Sequence, residues 1–457
     1  MTIRKNRFGI LLACLLGSFI ARAEDWPQWM GPQRDDVWRE DGILEKFPAG
    51  GPKVLWRTPI GAGYAGPAVA GGRVYVMDRV LATGAKNAAN PFARDVVNGS
   101  ERVLCLNEKD GAIVWTHEYE CAYDISYPGG PRVTPVVADG KVYTLGAEGH
   151  LFCLDAASGK VIWSHEFKKD YSVDSPMWGF SAHPLLDGNK LICIARGGGS
   201  TVVAFDKDSG KEIWRALTAA EPGYCPPVIY TINGKRQLII WHPEAINGLD
   251  PETGKSIWSF KFAVKAGLSV PMPRVIPQKD GSTLLFVTSF YNGPVMLKFT
   301  PGNDLPALLW RGKANNENHT DVLHSIIPTP FVEAGFIYGV CSYGQFRCIN
   351  VESGERVWES FIPTGGPYEK PEGARWANAF IIKNGDRFFL PNEKGDLIIA
   401  KLSSKGYEEI SRAHLLEPTS SAMGRPVVWS HPAFANRCIY TRNDKEIICV
   451  SLAAEAK

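Results

Sequence analysis

The stretch Pro135-Val136-Val137-Ala138-Asp139-Gly140-Lys141-Val142-Tyr143-Thr144-Leu145-Gly146-Ala147-Glu148-Gly149-His150-Leu151-Phe152-Cys153-Leu154-Asp155-Ala156-Ala157-Ser158-Gly159-Lys160-Val161-Ile162-Trp163 decides the fold. It holds four apolar runs, at 135–137, 141–145, 151–154 and 160–163, separated by turns that contain Gly. Asp139-Gly140 favours a tight hairpin, because the central residues of such a turn need positive φ. Runs this short between turn residues predict four antiparallel strands rather than helices. They are almost continuously apolar, so the sheet is expected to be covered on both faces.

Trp163 is one rung of a ladder. Trp56, Trp115, Trp163, Trp214, Trp258, Trp310 and Trp358 follow one another at intervals of 59, 48, 51, 44, 52 and 48 residues, each after a short apolar run. A period near 50 residues marks a repeat architecture, since one unit cannot bury its apolar faces alone. A weaker unit ends near Ile410, where Glu408-Glu409-Ile410 replaces the tryptophan run. Beyond it three strands are predicted, at 427–429, 438–440 and 447–450. The missing fourth is Lys53-Val54-Leu55-Trp56 at the other end of the chain. The expected fold is therefore all-β: an eight-bladed β-propeller of four-stranded antiparallel blades, closed by pairing the N-terminal strand into the C-terminal blade. An indole on each outermost strand would cover the seam between blades and place its N–H on a partner.

Ala204-Phe205-Asp206-Lys207-Asp208-Ser209-Gly210-Lys211-Glu212-Ile213-Trp214 resembles the tryptophan-docking repeat of quinoproteins. Residues 155–163 and 250–258 are similar to it, and 107–115 and 350–358 match with Asn in place of the first Asp. The opening Asp25-Trp26-Pro27-Gln28-Trp29-Met30-Gly31-Pro32 looks like that of secreted bacterial proteins with pyrroloquinoline-quinone-like (PQQ-like) repeats. The resemblance spans 53–451 and implies eight blades, not the quinone itself. Quinone-dependent alcohol dehydrogenases of the family carry two adjacent cysteines, and this sequence has no Cys-Cys pair. PQQ is therefore not expected, and the cofactor is unknown. The family's outer-membrane assembly lipoprotein is a non-enzymatic scaffold, which gives precedent for a binding role.

The rest of the composition narrows the classes. With 50 Lys and Arg against 48 Asp and Glu, there is no basic field for nucleic acid. Residues 1–23 read as a signal peptide: Arg4, Lys5 and Arg7, an apolar stretch from Phe8 to Ile20, then Ala21-Arg22-Ala23. That apolar stretch is too short for a transmembrane helix. Cys14 offers an alternative lipoprotein processing site. The expected division is signal peptide 1–23, an extension 24–52 packing on the propeller, and the PQQ-like propeller at 53–457, exported to the periplasm or secreted. Nine cysteines remain after residue 23, mostly within strand-like runs where they read as small buried apolar residues. Cys121 and Cys225 fall in loops instead. No Cys-x-x-Cys pair is present, and no metal site is assigned.

Strand direction alternates within a blade. The first-to-second and third-to-fourth connections therefore share one face and are short. The fourth-to-first and second-to-third connections share the other, read as long, and carry aromatic residues, Arg and His. Loops on a rigid frame are the usual carriers of function. The candidate ligand-binding residues on that face are Tyr64, Arg132, Trp178, His183, Tyr224, His324, Arg375, Trp376 and His431. His242, His319, Tyr291, Asn292, Arg274, Asn378, Arg425 and Arg442 belong to the same face, and the insert 81–100 is placed to cover it. Such a funnel suits a polar ligand with flat faces, such as a sugar or an anionic glycan, or a protein partner. The expected function is a binding module acting through this face. The alternative is an enzyme there: a metal-assisted glycan lyase or hydrolase with His acid/base groups, or a quinone-dependent oxidoreductase.

Overall fold

The computed structural model describes residues 24–366 and 374–455. The signal segment 1–23 and the processing site at Cys14 lie outside them. Among the described residues, eight four-stranded sheets are formed. Blades 1 to 7 occupy 68–120, 136–166, 185–216, 228–261, 274–311, 331–360 and 382–414. Blade 8 combines Ala433–Ala435, Cys438–Arg442 and Glu446–Ser451 with Val54–Pro59, whose Arg57 pairs with Ile448 and Thr58 with Ile447. The termini thus close the ring in one sheet.

The innermost strand of blade 8 differs from the expected one. Val427 belongs to a separate hairpin, Ser420–Ala422 with Arg425–Val427, and the inner strand begins at Ala433. Two apolar runs compete there. Ala433-Phe434-Ala435 wins because Asn436-Arg437, both at positive φ, turns it directly into Cys438–Arg442.

The tryptophan ladder seals the seams. Trp56, Trp115, Trp163, Trp310 and Trp358 donate Nε1–H to the carbonyls of Glu108, Ala156, Lys207, Val351 and Ser403 in the following blade, at 2.7–3.0 Å. The ring of each of the first four covers a turn glycine: Gly111, Gly159, Gly210 and Gly354. Two indoles depart from the rule: Trp214 covers Gly254 but its Nε1–H has no hydrogen-bond partner among the described residues, and Trp258 bonds within its own blade. Blade 5 lacks the repeat's Asp-x-x-Thr-Gly turn, and the indole turns back to Gln237 Oε1 at 2.7 Å in its own blade.

Four cysteines follow the same geometry. Cys105, Cys153, Cys348 and Cys449 each lie between a Tyr on the second strand and the ladder Trp on the fourth: Tyr75 and Trp115, Tyr143 and Trp163, Tyr338 and Trp358, Tyr440 and Trp56. Tyr and Trp ring centroids are 6.0–6.1 Å apart across each thiol. A small polarisable side chain fills that gap where a branched one would push the rings apart.

The segment after residue 24 crosses the bore. Trp26 exchanges backbone hydrogen bonds with Val69, and Pro27 O accepts from Val137 N–H. Arg34 Nη1 donates to Pro184 O at 2.8 Å. Asp36 and Trp38 bond Lys383, and Leu44 N–H reaches Leu452 O. Trp26 and Trp38 are buried against Phe434. One segment therefore ties the inner strands of blades 1, 2 and 7 to the end of the third strand of blade 8, packs on the inner strand of blade 8 at Phe434, and stoppers the channel between them.

Candidate ligand-binding site

Three residues before each of Val69, Val137 and Lys383 stand Gly66, Thr134 and Phe380. These line a hub cavity of about 230 Å³ on the long-loop face, just above the N-terminal stopper. Apart from Trp29, every lining residue comes from a fourth-to-first connection, and all eight such connections contribute. The second-to-third connections do not reach it. Most are tight turns, such as Pro243-Glu244, and only the blade 1 insert is long, so long loops belong to one class of connection rather than two.

Seven of the nine sequence candidates meet here: Tyr64, Arg132, Trp178, His183, Tyr224, Trp376 and His431. Two do not. His324 is fully buried beneath the face, where Nδ1–H donates to Phe290 O at 3.0 Å. Arg375 sits beside the mouth, bonded to Glu317 at 3.3 Å, Tyr343 Oη at 3.1 Å and Tyr291 Oη at 3.2 Å. Trp29, Tyr127, Trp429 and the aliphatic set Leu268, Val270, Ile326 and Ile327 line the cavity without having been singled out. The aliphatic residues carry no sequence signal that separates them from core. Trp29 lies outside the repeat altogether.

The floor is an aromatic pair. Trp29 stacks on His183 with centroids 4.5 Å apart and planes 5° from parallel. Thr134 N–H donates to His183 Nδ1 at 3.1 Å. Burial, with the nearby Arg34 and His431, holds the His183 pKa well below the usual imidazole range, so the ring is neutral. His431 donates Nδ1–H to Pro432 O at 2.9 Å. Its Nε2 lies 3.0 Å from Asp36 Oδ1, off the line of a hydrogen bond.

The walls are aromatic and electrically quiet. Burial pushes the Tyr64 and Tyr224 hydroxyls above the ordinary phenol range and Tyr127 up to about 12. Tyr127 and Trp376 both hold positive φ, 52° and 64°. Bulky residues rarely adopt that region, so the surrounding contacts hold each ring in place. Phe92 of the blade 1 insert meets Tyr127 edge-on at 5.2 Å and Trp376 at 6.0 Å, placing the insert at the rim.

The cations around the mouth are already engaged. Arg132 donates Nη2–H to Ser126 O at 2.9 Å and Tyr127 O at 2.7 Å, and Nη1–H to Gly130 O. Arg425 forms a two-pronged ion pair with the buried Glu393 at 2.7 and 3.0 Å, and Trp429 Nε1–H shares that carboxylate at 3.1 Å. Arg274 and Arg442 likewise serve backbone carbonyls. His183, His242, His319, His324 and His431 do not bring three ligand atoms together. Among the described residues the one group that does is elsewhere.

A family model described as outer membrane protein assembly factor BamB matches residues 99–269 and 244–457. The chain belongs to that family. Solved structures agree on the fold. BamB from Moraxella catarrhalis superposes with a TM-score of 0.54 at 16% identity, over 88% of this chain and 99% of that one. Quinohemoprotein alcohol dehydrogenase from Comamonas testosteroni gives 0.62 at 12%, over 96% and 82%. A europium-containing methanol dehydrogenase gives 0.57 at 13%, over 93% and 89%. A comparison with curated proteins returns no match. The chain is thus a PQQ-like repeat β-propeller of the BamB family, and among its described residues no helix is long and apolar enough to cross a membrane.

Proposed function

We propose that this propeller is a binding module for a protein partner, which docks on the long-loop face and seats an aromatic or aliphatic side chain in the hub cavity. The lining of that cavity carries the reading. Eight connections converge on about 230 Å³ of mainly aromatic and aliphatic surface. Small-molecule sites usually enclose about 300–1,000 Å³. A smaller apolar pocket at the centre of a broad face suits the buried anchor of a protein interface. The family description, an assembly factor, is in keeping with this role, and so is export of the chain through residues 1–23.

The other readings find less support. An anionic glycan needs free cations, whereas Arg132, Arg375 and Arg425 are committed to carbonyls, Glu317 and Glu393. An anionic quinone does not fit these side chains for the same reason. Acid/base catalysis by His183 is disfavoured because its Nδ1 is taken by a backbone N–H and one ring face by Trp29.

The test is to pan a random peptide library against the immobilised mature chain. Enriched peptides should share an aromatic or long aliphatic anchor and lose affinity for a Trp376→Ala variant. Failure to enrich any peptide, or enrichment of purely charged ones, would reject the reading.

A further inference from the structure

No metal site is assigned from the sequence, but three metal-ligating side chains are assembled at the seam between blades 1 and 2. Glu101 lies in the third strand of blade 1, Gly99–Asn107. Cys121 follows the fourth, Ile113–Glu120. His150 opens the third strand of blade 2, His150–Asp155. One ligand atom from each lies within 4.8 Å of the other two. From these residues we infer a zinc site that staples the two blades on the long-loop face, away from the hub cavity.

Three observations support it. First, Cys121 Sγ and His150 Nδ1 are 3.7 Å apart. Tetrahedral zinc with Zn–S near 2.3 Å and Zn–N near 2.0 Å requires a separation of about 3.5 Å. Second, Glu101 is fully buried and makes no salt bridge among the described residues. Buried carboxylates are normally paired with a cation or bound to a metal. Its Oε1 accepts from Ala147 N–H and Tyr123 Oη, while Oε2 accepts only from Tyr119 Oη and keeps a lone pair. Third, residue 146 is Gly, where a Cβ would lie 2.1 Å from Glu101 Oε2 and 2.5 Å from Tyr119 Oη. The space around that oxygen depends on having no side chain there.

Thiolate, imidazole and carboxylate together suit zinc better than harder cations, which prefer all-oxygen sites. The fourth position falls to water, with access past the half-buried His150. Tyr119 and Tyr123 would orient the carboxylate as outer-shell donors. Binding displaces the thiol proton to solvent.

The experiment uses the purified mature chain, stripped with chelator and titrated with zinc by calorimetry, and separately loaded with cobalt(II). The expected result is one zinc per chain and a thiolate-to-cobalt charge-transfer band. Cys121→Ser and His150→Gln should each weaken zinc at least tenfold, and Cys225→Ser should leave it unchanged. If Cys121→Ser fails to fold, the cobalt band of the unmodified chain and its loss in His150→Gln carry the test. No stoichiometric zinc, no charge-transfer band, or equal affinity in His150→Gln would overturn the proposal.

Discussion

Trp29 lies flat against His183, 4.5 Å from centroid to centroid, although the two belong to the N-terminal stopper and to the loop before blade 3. The hub cavity is therefore completed by a segment outside the propeller repeat. Replacing Trp29 with Ala should remove the floor and open the cavity into the bore. The expected cost is about 3 kcal/mol, typical of deleting a buried aromatic. Trp178→Ala, at a half-exposed wall position, should cost about 1 kcal/mol. Urea denaturation of the two variants checks the difference.

The ladder makes a sharper prediction at its turns. Gly140 and Gly159 have nearly the same φ, 72° and 71°. A Cβ on Gly140 meets nothing within 4 Å, whereas one on Gly159 would lie 2.6 Å from Trp115 Cε3. Gly140→Ala should cost about 1 kcal/mol, for backbone strain alone. Gly159→Ala should cost about 1–3 kcal/mol more, because the seam must part. Equal losses would mean the indole does not seal the blades.

That repeat is also what makes the fold legible in the sequence. Ladder tryptophans, turn glycines and the spare strand at 53–56 each state a local requirement that only a closed ring satisfies together. The site was less legible. Seven of its residues could be named because aromatic, His and Arg residues stand out in loops. Ile326, Ile327, Leu268 and Val270 look like core, and whether an aliphatic side chain faces core or cavity depends on loop paths that no local pattern encodes. His324 misled for a related reason. It sits in the correct connection, but Gly293 leaves room for its ring below the face. The closing blade erred where two similar apolar runs, 427–429 and 433–435, competed for one strand position.

Closure of the ring should be sensitive to Arg442. Its fully buried guanidinium donates Nη1–H to Met77 O at 2.6 Å, Nη2–H to Gly61 O at 2.5 Å and Nε–H to Asn443 O at 3.0 Å, joining blade 8 to blade 1. Arg442→Met keeps the bulk and orphans those carbonyls, at about 1–3 kcal/mol for each buried group left unsatisfied. A melting temperature unchanged from the parent would show that the seam does not depend on this residue.

His324 supplies a pH dependence. Burial draws its pKa from 6.5 to about 4, and its Nε2 has no hydrogen-bond partner to receive a second proton. Between those values the unfolded chain binds more protons than the folded one. Its stabilising contribution is therefore complete above pH 6.5 and is lost as pH falls toward 4, by about 3 kcal/mol in all. His324→Phe should be less stable at pH 7.5, and the gap to the parent should narrow by pH 4.5. Denaturation midpoints at three pH values test the sign.

The central claim concerns where a partner binds. The direct measurement is the Kd of a library-selected peptide for the parent chain, for Trp376→Ala in the cavity and for Leu309→Ala on the exposed outer rim. The account predicts at least tenfold weaker binding for Trp376→Ala, about 1.4 kcal/mol, and no change for Leu309→Ala. Equal affinity for all three, or a loss confined to Leu309→Ala, would contradict it.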